Sequence, residues 1–192
     1  MFRYLTSRRL RRHVRNVQRL EIRIAGFGGQ GIILLGMILA KATAKDENLH
    51  VVQTQSYGPE SRGGAVRSDL VISDEPVDYP RIRKADVLVA MSQGALDAYE
   101  GGLKEGGTLV IDPDLVKVHP HRGNITVIDV PATRKATELG RPLLANMVML
   151  GALPGISKVV HKEAVVDALK ETIRGDALRD SLKAVEVGSE IC

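Results

Sequence analysis

Residues 20–45 read LEIRIAGFGGQGIILLGMILAKATAK, and this stretch decides the fold. Leu20, Ile22 and Ile24 alternate with Glu21 and Arg23, the period-2 pattern of a strand over about Leu20–Gly26. Gly26-Phe27-Gly28-Gly29-Gln30-Gly31 then breaks the strand. From about Gln30 to Lys45 the apolar residues crowd one broad face of a helix, and Lys45 and Asp46 mark its end. A strand, a glycine turn and a helix in direct succession form a Rossmann-like first βα turn.

The same alternation continues downstream. Val51–Thr54 reads as a second strand and 57–64 as a loop broken by Pro59 and three glycines. In Ala65–Ser73, Val66, Leu70 and Ile72 stand against Arg67, Asp69 and Ser73, with a slip near Ser68, giving a third strand. Asp86–Met91 is short and apolar, as expected of a central parallel strand. Ser92 is placed to cap the helix that follows. Thr108–Ile111 and Ile125–Val130 are further strands. Asn146–Leu153, Glu163–Arg174 and Asp176–Val187 are further helices, with Asn146 and Asp176 as expected caps. The fold class is therefore α/β: a three-layer, open, mostly parallel sheet with helices on both faces.

Composition narrows the function. The chain has 192 residues, 44% of them hydrophobic and only 3% aromatic, which suits one soluble domain packed by Val, Ile, Leu and Ala. Its single cysteine is Cys192, so neither an internal disulfide nor an iron–sulfur cluster can be built from this chain alone. The apolar run Ile32–Ala40 is far short of the roughly 20 residues of a membrane span. Residues 1–20 hold seven Arg and no acid, while the rest hold 20 Lys and Arg against 23 Asp and Glu. The formal charge of +4 thus comes from an arm attached to a slightly acidic body. We expect residues 1–20 to be a flexible basic arm and 21–192 a single domain, with no nucleic acid or membrane as partner.

The glycine turn fits G-x-G-x-x-G in the context that gives the pattern meaning, after a strand and before a helix. A helix N-terminus there offers N–H groups and partial positive charge to an anion. A dinucleotide would also require an acid, or an Arg for a 2′-phosphate, at the end of the second strand. The sequence there is Val51-Val52-Gln53-Thr54-Gln55-Ser56, with neither. A ligand-free tight turn, a dinucleotide site, and an anion or partner contact all remain open readings of the turn. His13, His50, His119, His121 and His161 are scattered, and His119-Pro120-His121 lacks a third ligand, so no metal or catalytic constellation is expected.

Ser56-Tyr57-Gly58-Pro59-Glu60-Ser61-Arg62-Gly63-Gly64 places a phenol, an acid and a base between Gly and Pro. Following the second strand, the loop is expected at the carboxyl edge of the sheet beside the glycine turn, the two coming from adjacent strands and facing one crevice. Arg62 suits a phosphate or carboxylate, with Glu60 as its orienting partner. An ordinary solvated loop is the alternative.

GFGGQG at 26–31, SYGPESRGGAVRSDLVIS at 56–73 and DYPRIRKADVLVAM at 78–91 closely resemble the gamma subunit, or gamma domain, of 2-oxoacid:ferredoxin oxidoreductases. The resemblance covers about residues 21–187, and the S-Y-G-P-E-x-R-G-G loop is its most specific part. Together with ISDEPVDYP at 72–80, the wording is most like the 2-oxoglutarate branch. The resemblance implies a cytoplasmic hetero-oligomer with alpha and beta subunits and, where one exists, a delta subunit, delivering electrons to ferredoxin. It implies thiamine diphosphate, Mg and iron–sulfur clusters on those partners. It leaves this chain an architectural role, to which the two loops add a share in holding coenzyme A through the Gly28–Gly31 N–H groups and Arg62. The residues expected at that site are Gly26, Gly28, Gly29, Gln30, Gly31, Tyr57, Gly58, Glu60, Ser61, Arg62, Gly63 and Gly64. A stand-alone dinucleotide-binding oxidoreductase and a ligand-free scaffold subunit are the alternatives.

Overall fold

The structure, a computed structural model, describes residues 18–46, 48–57, 65–119 and 123–192. Six strands form one sheet in the order β2-β3-β1-β4-β5-β6. They are β1 (Leu20–Phe27), β2 (His50–Tyr57), β3 (Ala65–Ser73), β4 (Ala85–Ala90), β5 (Leu103–Ile111) and β6 (Thr126–Asp129). The pairs β1–β4, β4–β5 and β5–β6 are parallel, and β3 runs antiparallel to both β1 and β2. β3 alone is reversed, so the sheet is mostly parallel as expected.

Strand alternation sorts side chains to two faces. Ile22, Ile24, Leu70, Ile72, Val87, Val89 and Val110 share one apolar core with α1 (Ile32–Thr43), α3 (Ala132–Glu138), α4 (Ala145–Ser157), α5 (Lys162–Thr172) and α6 (Gly175–Ser189). Leu88, Ala90, Leu109 and Ile111 face the other way and pack against Leu96 of α2 (Gln93–Tyr99). Helices thus cover both faces, five on one side and one on the other. α4 and α6 pack tightly enough that a β-carbon on Gly151 or Gly188 would overlap the backbone of Val185 or Val148. Close approach of this kind requires glycine on both sides.

Beside that apolar cluster, over β1 and β3, the thinly covered face also buries charge. Arg23 of β1 and Asp69 of β3 are register partners, joined by two 2.8 Å contacts through Nε and Nη2. Their side chains are only 8% and 5% exposed. Tyr99 of α2 lies under both Arg23 and Arg67, with ring-centroid distances of 5.2 and 5.4 Å. The Asp69 hydrogen bond raises the Arg23 guanidinium above its already high ordinary value, and burial opposes this. Arg23 is therefore charged wherever the fold exists. The pair ties β3, the reversed strand, to the centre of the sheet.

Two expected caps are corrected. Asn146 lies inside the first turn of α4, whose N-cap is Leu144 with no capping side chain. Its amide is drawn instead to a neighbouring element. Asp176 likewise sits inside α6, which starts from Arg174 without a side-chain cap. Ser92 does cap α2, its Oγ accepting the Ala95 N–H at 3.2 Å.

Candidate functional site at the carboxyl edge

β1, β2, β4, β5 and β6 point the same way, so their last residues (Phe27, Tyr57, Ala90, Ile111 and Asp129) share one edge. α1 leaves β1 on one face of the sheet and α2 leaves β4 on the other. β1 and β4 are neighbours, so the sheet's topological switch point falls between them, and open α/β sheets bind ligands at such a crevice. A cavity of about 250 Å³ lies there. Phe27, Gly29, Gln30 and Met91 line one side, and Thr133, Pro142 and Leu143 the other. Its lining is mainly apolar, and Leu143 is 89% exposed beside it.

The glycine turn at the mouth of this cavity is held by its own glutamine. Gln30 Oε1 accepts the Phe27 N–H at 2.8 Å, and Gln30 Nε2 donates to the Met91 carbonyl at 2.7 Å. One side chain thereby closes the turn and ties β1 to the end of β4. Gly26 is required for this, because a β-carbon there would overlap Gln30 Oε1 and Ile32. Gly31 has φ 72° and forms the N-cap of α1 with no capping side chain. A β-carbon on Gly31 would also overlap the side-chain amide of Asn146, whose Nδ2 donates to the Gly31 carbonyl at 3.3 Å. The neighbour that demands glycine here is therefore α4. Phe27, Gly28 and Gly29 are exposed, so the outer backbone of the turn is open to a ligand or partner.

Tyr57 ends β2 with 65% of its surface exposed. Gly58, Glu60, Ser61, Arg62, Gly63 and Gly64 lie outside the described residues, as does His121. The flanking strands fix where that loop attaches. Tyr57 pairs with Val66, and Ala65 pairs with Phe27. The loop therefore returns to the sheet directly beside the glycine turn, at the expected edge. The expected adjacency of β1 and β2 is corrected, because β3 lies between them. The reversal of β3 sets Ala65, where β3 begins, against Phe27 of the glycine turn instead.

One buried group went unnoticed in the sequence. Asp112, fully buried at the end of β5, accepts the Thr133 N–H at 2.8 Å, the Thr133 hydroxyl at 2.6 Å and the Asp114 N–H at 3.1 Å. It fixes the start of α3 and the cavity wall formed by Thr133. The signal was Asp112-Pro113-Asp114 after an apolar strand, a turn that an Asp side chain can hold through backbone N–H groups. Among the described residues, no three His, Cys, Asp or Glu side chains gather as a metal-ligand set.

The family model for pyruvate ferredoxin/flavodoxin oxidoreductase matches residues 21–191. The chain belongs to this family. Within it, the chain is 48% identical over 179 residues to the 2-oxoglutarate synthase subunit KorC of Methanothermobacter marburgensis, covering 90% of this chain and 96% of that one. The gamma subunit of a keto/oxoacid ferredoxin oxidoreductase from Geobacter sulfurreducens superposes with a TM-score of 0.81 at 40% identity, over 90% of this chain and 95% of that one. The 2-oxoglutarate:ferredoxin oxidoreductase of Magnetococcus marinus, solved with 2-oxoglutarate, coenzyme A and succinyl-CoA bound, superposes with a TM-score of 0.82 at 25% identity. That match takes in 91% of this chain and 31% of the larger one. Among the described residues, no helix is long and apolar enough to cross a membrane.

Proposed function

We propose that this chain is the gamma subunit of a 2-oxoglutarate:ferredoxin oxidoreductase. The carrying observation is the near end-to-end match, at 48% identity, with a 2-oxoglutarate synthase subunit of the same length class. The assembled enzyme converts a 2-oxoacid, coenzyme A and oxidised ferredoxin to acyl-CoA, carbon dioxide and reduced ferredoxin. Thiamine diphosphate with Mg and the iron–sulfur clusters belong to alpha, beta and, where present, delta subunits, in the cytoplasm. From β1 (Leu20–Phe27) onward the chain acts as one domain, preceded by a basic arm.

The role of this chain in that enzyme is architectural, with a share in holding coenzyme A at the carboxyl edge. Three features support the second part. The exposed backbone of Gly28 and Gly29 stands beside the N-terminus of α1, a favourable place for a phosphate. The segment carrying Gly58, Glu60, Ser61, Arg62, Gly63 and Gly64 joins Tyr57 to Ala65, and Ala65 pairs with Phe27 of that turn. The neighbouring cavity is apolar and suits an uncharged arm. Gln30 and Gly26 contribute by fixing the turn, and Tyr57 by presenting a ring at its rim.

The test is kinetic. In the assembled enzyme, Arg62→Ala should raise the KM for coenzyme A at least about tenfold through loss of a charge-assisted contact, while the KM for 2-oxoglutarate stays unchanged. If only subunit assembly suffers and the coenzyme A KM stays at the parent value, the loop is an interface element without a ligand.

A further inference from the structure

A second cavity, of about 460 Å³, opens between the end of α3 and the outer face of α6, away from the glycine turn. Leu139, Gly140, Arg141, Arg179, Asp180 and Lys183 line it. How the sequence builds it is clear from the α3 terminus. Gly140 adopts φ 69°, its N–H bonds the Thr137 carbonyl at 2.8 Å, and the Arg141 N–H bonds the Ala136 carbonyl at 2.9 Å. This is a Schellman stop, in which backbone amides satisfy the last carbonyls of the helix. The Arg141 side chain is therefore not needed as a cap and is aimed at α6.

Asp180 then positions the arginines. Its side chain is 18% exposed, with Oδ2 at 2.9 Å from Arg141 Nε and Oδ1 at 3.9 Å from Arg179 Nε. Both contacts use Nε, which leaves the terminal Nη groups of Arg141 for another acceptor. Arg179 Nη2 lies 3.2 Å from Asp176, whose side chain is 87% exposed and readily displaced. Lys183 lies one turn further along α6, exposed and in none of the ion pairs among the described residues. Three cations thus surround the cleft carboxylate of Asp180, with Asp176 at the edge beside Arg179. With Asp176 counted, an excess of one positive charge remains, on a body, residues 21–192, whose formal charge is negative. Such a concentration is unfavourable in isolation and favours an anion in the cleft.

We propose that this cleft binds a phosphate group, either inorganic phosphate or the phosphomonoester of a small metabolite. A tetrahedral group can meet donors from the α3 turn and from two positions on α6, and arginine forks hold phosphate bidentately. The inference is independent of the subunit assignment and of the site at the glycine turn.

The experiment is calorimetric titration of the full-length chain at low ionic strength, with inorganic phosphate in one arm and adenosine monophosphate in the other. Saturable binding is expected. The Arg179→Ala/Lys183→Ala double variant keeps the Arg141–Asp180 pair and should fold as the parent does, shown by an unchanged melting curve without phosphate. Its affinity for both probes should fall at least about tenfold. Arg141→Ala should weaken binding similarly, whereas Lys170→Ala, on α5, should leave it unchanged. Equal affinity for the two probes assigns the site to free phosphate, and tighter binding of the nucleotide assigns it to a phosphomonoester. Absence of saturable binding with both probes, or equal binding by the parent and the double variant, overturns the proposal.

Discussion

Asp69→Ala removes one half of the most buried ion pair in the described structure. Arg23 would keep only a 3.4 Å contact from Nη2 to the Ile82 carbonyl and the Tyr99 ring. Its side chain is 8% exposed, so water cannot replace the lost carboxylate without local opening. Removing one partner of such a pair costs about 3–5 kcal/mol, which is a large part of a typical stability of about 5–15 kcal/mol. For a chain of this size the melting temperature should fall by about 6–20 °C. Arg23→Ala should cost less, because Arg67 Nε already lies 3.6 Å from Asp69 and is one-third exposed, able to move onto the abandoned carboxylate. The double substitution Arg23→Met with Asp69→Leu should recover most of the loss, since no unpaired charge remains buried. Urea unfolding of the four proteins gives the comparison. A cost below about 1 kcal/mol for Asp69→Ala, the value of an exposed pair, would refute the view that this contact fastens the reversed strand to the sheet.

Gly31→Ala should cost at least about 1–2 kcal/mol from the left-handed backbone alone, with an added penalty from overlap with Asn146, measurable as a lowered urea midpoint. Gln30→Ala leaves the Phe27 N–H and Met91 carbonyl without their partner and should cost about 1–3 kcal/mol, with faster amide exchange confined to the turn. The Glu171 carboxyl is held below its ordinary value of 4.5 by the hydrogen bond from Lys45 at 2.6 Å. A lowered folded-state value means that the stabilisation is complete above the ordinary value and is lost as pH falls through the lowered one. The stability difference between the parent and Lys45→Met should therefore be open at neutral pH and close on acidification, and a difference independent of pH would contradict the pairing.

Much of this fold was legible because its strands announce themselves by alternation. Ala65–Ser73 was found to the residue, and Ser92 was recognised as a cap. β2 was read as Val51–Thr54 but runs to Tyr57, because Gln53, Gln55 and Ser56 are polar on both faces of an edge strand. β5 begins at Leu103, five residues before its apolar part, where Lys104, Glu105, Gly106 and Gly107 hide it. The reversal of β3 has no local signature, since register and direction are set by partners distant in sequence. The glycine turn was visible as a motif. The roles of Gln30 and Asn146 were not, because they depend on Met91 and Gly31, residues brought near only by the folded sheet and α4.

The central claim is tested by recovering the tagged chain anaerobically from its native host and assaying what accompanies it. The account predicts thiamine- and cluster-binding chains in fixed proportion, with coenzyme A-dependent reduction of a viologen dye by 2-oxoglutarate in preference to pyruvate or a branched 2-oxoacid. A lone chain, inactive with all three acids, would contradict it.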